Sequence, residues 1–120
     1  MHEKQKVLVV DDSQQWRRAA SQCLEMFGFD TLTAPSVEVA RELLAKEGQP
    51  TAAIVDVNLH GTSEGGSHDL VKNDLSDVSI VFRWSNYTEC DPEAVRDGLW
   101  DKGEAFEMIE SLKEKLEQAD

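Results

Sequence analysis

Cysteine, basic residues and long apolar runs are all scarce in this chain, and each scarcity removes a class of protein. The two cysteines, Cys23 and Cys90, lack CxxC spacing and make no disulfide framework, so a reducing cytoplasm is the expected setting. Cys23 falls on the apolar side of a predicted helix and reads as a small buried hydrophobe, whereas Cys90 falls in a predicted loop as a free thiol. Twelve basic residues against 24 acidic ones leave a net charge of −12. That balance argues against a basic face for nucleic acid and against adhesion to anionic membranes; the acidity serves solubility. No apolar run is long enough to span a bilayer. The start, Met1-His2-Glu3-Lys4-Gln5-Lys6, has no signal-peptide core. Repeats, low-complexity segments and linkers are also missing. The 120 residues, 40% hydrophobic and 30% charged, fit one domain over residues 1–120 with a substantial core.

What the chain does have is short aliphatic runs that end in carboxylates. Ala52-Ala53-Ile54-Val55 runs into Asp56, and Val7-Leu8-Val9-Val10 runs into Asp11-Asp12. Runs without polar alternation predict strands buried on both faces, as in parallel sheets covered by helices. Ligand sites in such sheets lie beyond the carboxyl ends of the strands. Asp11, Asp12 and Asp56 are therefore expected at one edge, where three carboxylates repel unless a divalent cation joins them.

Between these runs the signals are local. Ser13 predicts a cap for a helix over Gln14 to Phe27, with Trp16, Ala19, Ala20, Cys23, Leu24 and Phe27 on one face and Gly28 as terminator. Phe29 to Thr33 predicts a second strand. Ser36 caps a second helix with the stripe Val37, Ala40, Leu43 and Leu44, ending near Gly48. Leu59 to Ser67, with Gly61, Gly65 and Gly66, predicts a mobile loop beside the carboxylates. Ser67-His68 follows Gly66, which is not the Gly-Lys-Ser/Thr of a phosphate-cradling loop. His60, His68 and Asp69 match no common metal-ligand spacing. A short helix from about Ser67 to Asn73, a strand over Val78 to Trp84 with Ser85 at its end, and a short strand at Leu99-Trp100 come next. Gly103 precedes a last helix with Ala105, Phe106, Ile109, Leu112 and Leu116 facing inward. Strands alternating with helices predict right-handed crossovers and a parallel sheet with helices on both sides. Trp16 and Trp84 are expected near the carboxylate edge.

Val9-Val10-Asp11-Asp12-Ser13, Asp56, Ser85 and Lys102, at successive strand ends, resemble the receiver domain of two-component response regulators. The resemblance spans nearly the whole chain. It implies a flavodoxin-like, doubly wound, five-stranded parallel sheet of order 2-1-3-4-5, as a stand-alone receiver with no output domain. It implies Asp56 as phosphoacceptor from a histidine kinase or phosphotransfer protein. Asp11, Asp12, Asp56 and the backbone carbonyl of Asn58 would hold Mg²⁺, and Ser85 and Lys102 would contact the phosphoryl group. Such a protein is a signalling phosphoprotein, not an enzyme, although it assists its own phosphorylation and dephosphorylation. It would signal by protein contact in the cytoplasm to a downstream protein, without touching nucleic acid or membrane. The chemistry fits independently: phosphoryl transfer needs an in-line nucleophile and charge neutralisation more than covalent machinery.

The chain departs from the receiver pattern in four places. His60 stands where a proline is usual, and the glycines of that loop come at Gly65 and Gly66. Asn86 replaces the usual small residue after the hydroxyl, which makes it an expected modulator of access to the phosphoryl group. The segment from Ser85 to Lys102 is short, so the family's fourth helix is expected to be short or absent, with unusual partner recognition. Gly103 follows Lys102 in place of proline, and Leu99 with Trp100 beside it occupies the usual switch-aromatic position. The alternative reading is a pseudo-receiver that binds a partner constitutively and is never phosphorylated. A hydrolase with an Asp nucleophile is disfavoured because Asn58 stands where its second Asp belongs. A flavodoxin-like cofactor binder is disfavoured because Asp11-Asp12 would repel phosphate.

Overall fold

A strand with no polar alternation has no face to give to water, so it must have neighbours on both edges and cover on both faces. In β1 (Lys6–Val10) every residue after Lys6 is buried, and in β3 (Ala52–Asp56) all five are. The computed structural model describes residues 5–56, 69–78, 80–85 and 99–118. Its strands form one five-stranded sheet in the order β2-β1-β3-β4-β5, all pairs parallel. β2 is Asp30–Ala34, β4 is Ile80–Ser85 and β5 is Leu99–Asp101. This is the expected doubly wound order. Val10 pairs with both Ala34 and Val55, so Asp11 and Asp56 each stand one step beyond the same rung.

Helix boundaries follow the local signals. The Ser13 hydroxyl accepts from the Trp16 N–H at 3.4 Å and opens α1 (Gln14–Met26). Gly28, at φ 90°, takes the left-handed conformation that closes it. The Ser36 hydroxyl accepts from the Val39 N–H at 3.2 Å and opens α2 (Val37–Glu47), which stops at Gly48, φ 82°. Alternation along the strands divides the core into two layers. On one side Leu8, Val10, Ala53 and Val55 meet Val37, Ala40 and Leu44 of α2. On the other, Val7, Val9, Ile54, Phe82 and Trp84 meet Ala20, Cys23 and Leu24 of α1 and Met108, Ile109 and Leu112 of α3 (Ala105–Gln118). Cys23 is buried there, as its place on the helix predicts.

Phe106 corrects the expected stripe of the last helix. It is 48% exposed, while Met108 is fully buried. At about 100° per residue, Phe106 and Met108 lie on opposite flanks of the line through Ala105, Ile109, Leu112 and Leu116, and it is the Met108 flank that faces the core. Phe106 instead packs beside Phe27, ring centroids 5.3 Å apart. The expected short helix near Asn73 is a five-residue π-helical segment, Leu70–Asp74, closed by the Leu75 N–H on the Leu70 carbonyl at 3.0 Å. Arg41 Nε of α2 ties it down through Asp74 Oδ2 at 2.8 Å. The start of that helix, the Leu59 to Ser67 loop, the expected short fourth helix and Cys90 lie outside the described residues. Among the described residues, no helix is long and apolar enough to cross a membrane.

Candidate functional site

Parallel register brings the ends of β1, β3, β4 and β5 to one rim, and the buried polar residues of the core gather there: Asp11, Asp56 and Lys102. Asp11 is held from several directions. Its N–H donates to the Ala34 carbonyl at 3.1 Å, which continues the β1–β2 ladder. Its Oδ1 accepts from the Ser13 N–H at 2.9 Å, and its carbonyl accepts from Arg17 Nη1 at 2.7 Å. Asp12, by contrast, is exposed. One carboxylate oxygen from each of Asp11, Asp12 and Asp56 falls within 4.8 Å of the others.

Lys102 begins the 3₁₀ turn Lys102–Glu104 that follows β5. Its Nζ donates to Asp56 Oδ2 at 3.0 Å and lies 2.8 Å from Asp11 Oδ2. The contact with Asp11 is a close ion pair, and Asp11 Oδ2, which is buried, has no other partner among the described residues. Burial pushes the Asp11 carboxyl above its ordinary range, aided by the Asp56 charge and opposed by Lys102 and the Ser13 N–H. Burial alone would lower the Lys102 ammonium; Asp11 and Asp56 outweigh it and hold the ammonium above its usual value. Three carboxylates against one ammonium leave excess negative charge. An all-oxygen donor set within 4.8 Å, with one carboxylate exposed, offers a hard divalent cation what it takes.

Of the residues singled out in the sequence, the structure brings together Asp11, Asp12, Asp56 and Lys102. Ser85 ends β4 at the same rim, paired with Asp101 of β5. Asn58 and Asn86 lie outside the described residues. Two features went unread. Arg17 pins the Asp11 carbonyl, and a main-chain acceptor leaves no trace in sequence. Trp16 and Trp84, expected only to be nearby, wall the Lys102 ammonium, whose Nζ lies 5.8 and 5.6 Å from their ring centroids. Trp84 is fully buried, and its indole N–H has no acceptor among the described residues, a desolvation cost of about 1–3 kcal/mol.

No protein-family model matches the sequence, and no curated protein matches it. Solved structures do. A CheY-like response regulator receiver domain from Methylobacillus flagellatus superposes with a TM-score of 0.72 at 23% identity, over 94% of this chain and 98% of the other. The chemotaxis response regulator CheY4 of Vibrio cholerae gives 0.71 at 22%, over 94% and 98%. The N-terminal domain of a response regulator/sensory box/GGDEF protein from Carboxydothermus hydrogenoformans gives 0.73 at 19%, over 95% and 97%. The doubly wound sheet with its two helical layers, matched over nearly the whole chain, is the receiver fold of response regulators.

Proposed function

We propose that the protein is a phosphoacceptor of two-component signalling, with Asp56 as the residue phosphorylated. The observation that carries this reading is the buried Lys102 ammonium set between Asp56 and Asp11, with Asp12 beside them at the strand ends. An Asp56 oxygen attacks the phosphorus of a partner's phosphohistidine in line. The new O–P bond forms as the P–N bond breaks, and the imidazole leaves. Lys102 pairs with Asp56, then balances charge on the phosphoryl oxygens. Ser85 donates its hydroxyl to the attached phosphoryl group, and Asn86 governs water's access to it. Asp11, Asp12, Asp56 and the Asn58 carbonyl would hold Mg²⁺, which when bound neutralises charge between carboxylate and phosphoryl group. The partners are a sensor histidine kinase or phosphotransfer protein and a downstream protein met by direct contact in the cytoplasm. The protein is a signal carrier and not an enzyme acting on a separate substrate.

The test is incubation with acetyl phosphate, with and without Mg²⁺, followed by intact mass. One phosphoryl group gained only with Mg²⁺, and lost in Asp56→Asn, is the expected result. A folded protein that gains none, and that binds no beryllofluoride, overturns the reading in favour of a constitutive pseudo-receiver.

A further inference from the structure

The Lys102 ammonium has two kinds of neighbour, and the carboxylates are only one. Trp16 reaches it from α1 and Trp84 from β4, and the two rings meet edge to face, centroids 6.1 Å apart at 71°. Nζ lies 5.8 Å from one ring centroid and 5.6 Å from the other, within the roughly 6 Å reach of a cation–π attraction. Lys102 is itself 6% exposed, so little water screens the contact. Packing alone does not explain the choice of residue at Trp84. A Phe or Leu fills a core without an N–H to desolvate, and the Trp84 N–H has no acceptor among the described residues. What tryptophan offers beyond them is the strongest π face for a cation.

We infer that Trp16 and Trp84 are positioning residues, a two-walled aromatic seat that holds the Lys102 ammonium at the rim independently of the carboxylates. The seat matters when the carboxylates are taken. With a divalent cation bound, Asp11 and Asp56 would be drawn from Lys102 and the ammonium repelled, whereas the rings would keep their attraction. The ammonium then stays beside Asp56, where phosphoryl oxygens arrive. What the ammonium does next rests on the proposed function; the seat itself does not.

Protein carrying ¹³Cε-labelled lysine tests this, with the Lys102 resonance assigned through Lys102→Met. Ring currents should move the Lys102 ε-methylene protons upfield, and they should stay upfield when Mg²⁺ is added. Trp16→Leu should return them toward the ordinary lysine position and slow phosphorylation by acetyl phosphate about five- to ten-fold. Trp16→Phe, which keeps a weaker π face, should fall between in both measures. Trp84→Phe, which keeps the core filled, should weaken both in the same direction. Wild-type protons at the ordinary position, or Leu and Phe variants that match each other in shift and rate, would overturn the seat. If the wild type gains no phosphoryl group, the proposed function fails, and the methylene shifts with Mg²⁺ still decide for or against the seat.

Discussion

The two layers of the core cover opposite faces of one sheet with different materials. Beneath α2, the buried cluster is aliphatic throughout, from Leu8 and Val10 to Leu70, Leu75 and Val78. Beneath α1 and α3 it holds Phe29, Phe82 and Trp84, with Trp16, Phe27 and Trp100 packed against it; Trp100 meets Phe82 edge to face at 5.9 Å. The aliphatic layer needs only to exclude water. The aromatic layer runs up to a buried ammonium, and its polarised rings continue the electrostatics of the rim into the core. Fold stability and site chemistry therefore share the second layer and part company in the first.

Four measurements sharpen or break that contrast. The largest effect belongs to Lys102→Met, which leaves Asp11 and Asp56 buried without their cation. Metal-free protein should lose about 3–5 kcal/mol in urea denaturation, and Mg²⁺ should restore part of it by binding only the folded state. The pH dependence has a definite sign. Because the folded-state value of Lys102 is raised, its stabilisation is fully present below the usual lysine pKa of about 10.4 and is lost as pH rises through the folded value. Wild type and Lys102→Met should therefore converge as pH rises through that folded value. Next is Leu8→Ala in the aliphatic layer, expected to cost about 2–5 kcal/mol while leaving the Mg²⁺ affinity of the folded protein unchanged. An altered affinity there would abolish the separation of the layers. Ser13→Ala removes the cap of α1 but keeps the N–H that holds Asp11, so about 1 kcal/mol should be lost, read as a lower Tm, with Mg²⁺ binding intact. The smallest effect concerns Cys23, whose thiol burial pushes up, aided by the Glu107 charge. In a Cys90→Ser background it should react with a thiol reagent at pH 8 no faster than the protein unfolds; fast labelling would mean the aromatic layer is open to water.

Much of this was legible because it is local. Ser13, Ser36, Gly28 and Gly48 act within a turn of their own positions, and α1 and α2 begin and end where these residues predict. The unbroken aliphatic runs of β1 and β3 could lie only in the middle of a sheet. The strand order came from the resemblance carried by Asp11, Asp12, Asp56, Ser85 and Lys102, since no single run states its neighbour. Phe106 was not legible because the apolar stripe of α3 has two flanks, and only the fold shows that the Met108 flank, not the Phe106 flank, faces the sheet. The π-helical segment escaped because its anchor, the Arg41–Asp74 pair, joins elements far apart in sequence. The aromatic seat escaped for the same reason: Trp16 on a helix face and Trp84 in a strand each look like ordinary core until the fold places Lys102 against both.

The pairing of β1 with β3, Val7 beside Ala52 through Val10 beside Val55, also sets an order of events in folding. That contact closes a long loop, whose entropy must be lost before the contact rewards it. Asp11 and Asp56 are strangers in the unfolded chain and become neighbours only when this pair zips up. A cation that needs both would therefore add its stabilisation only once this pair has formed, as a latch on the closed sheet and not as a seed for it.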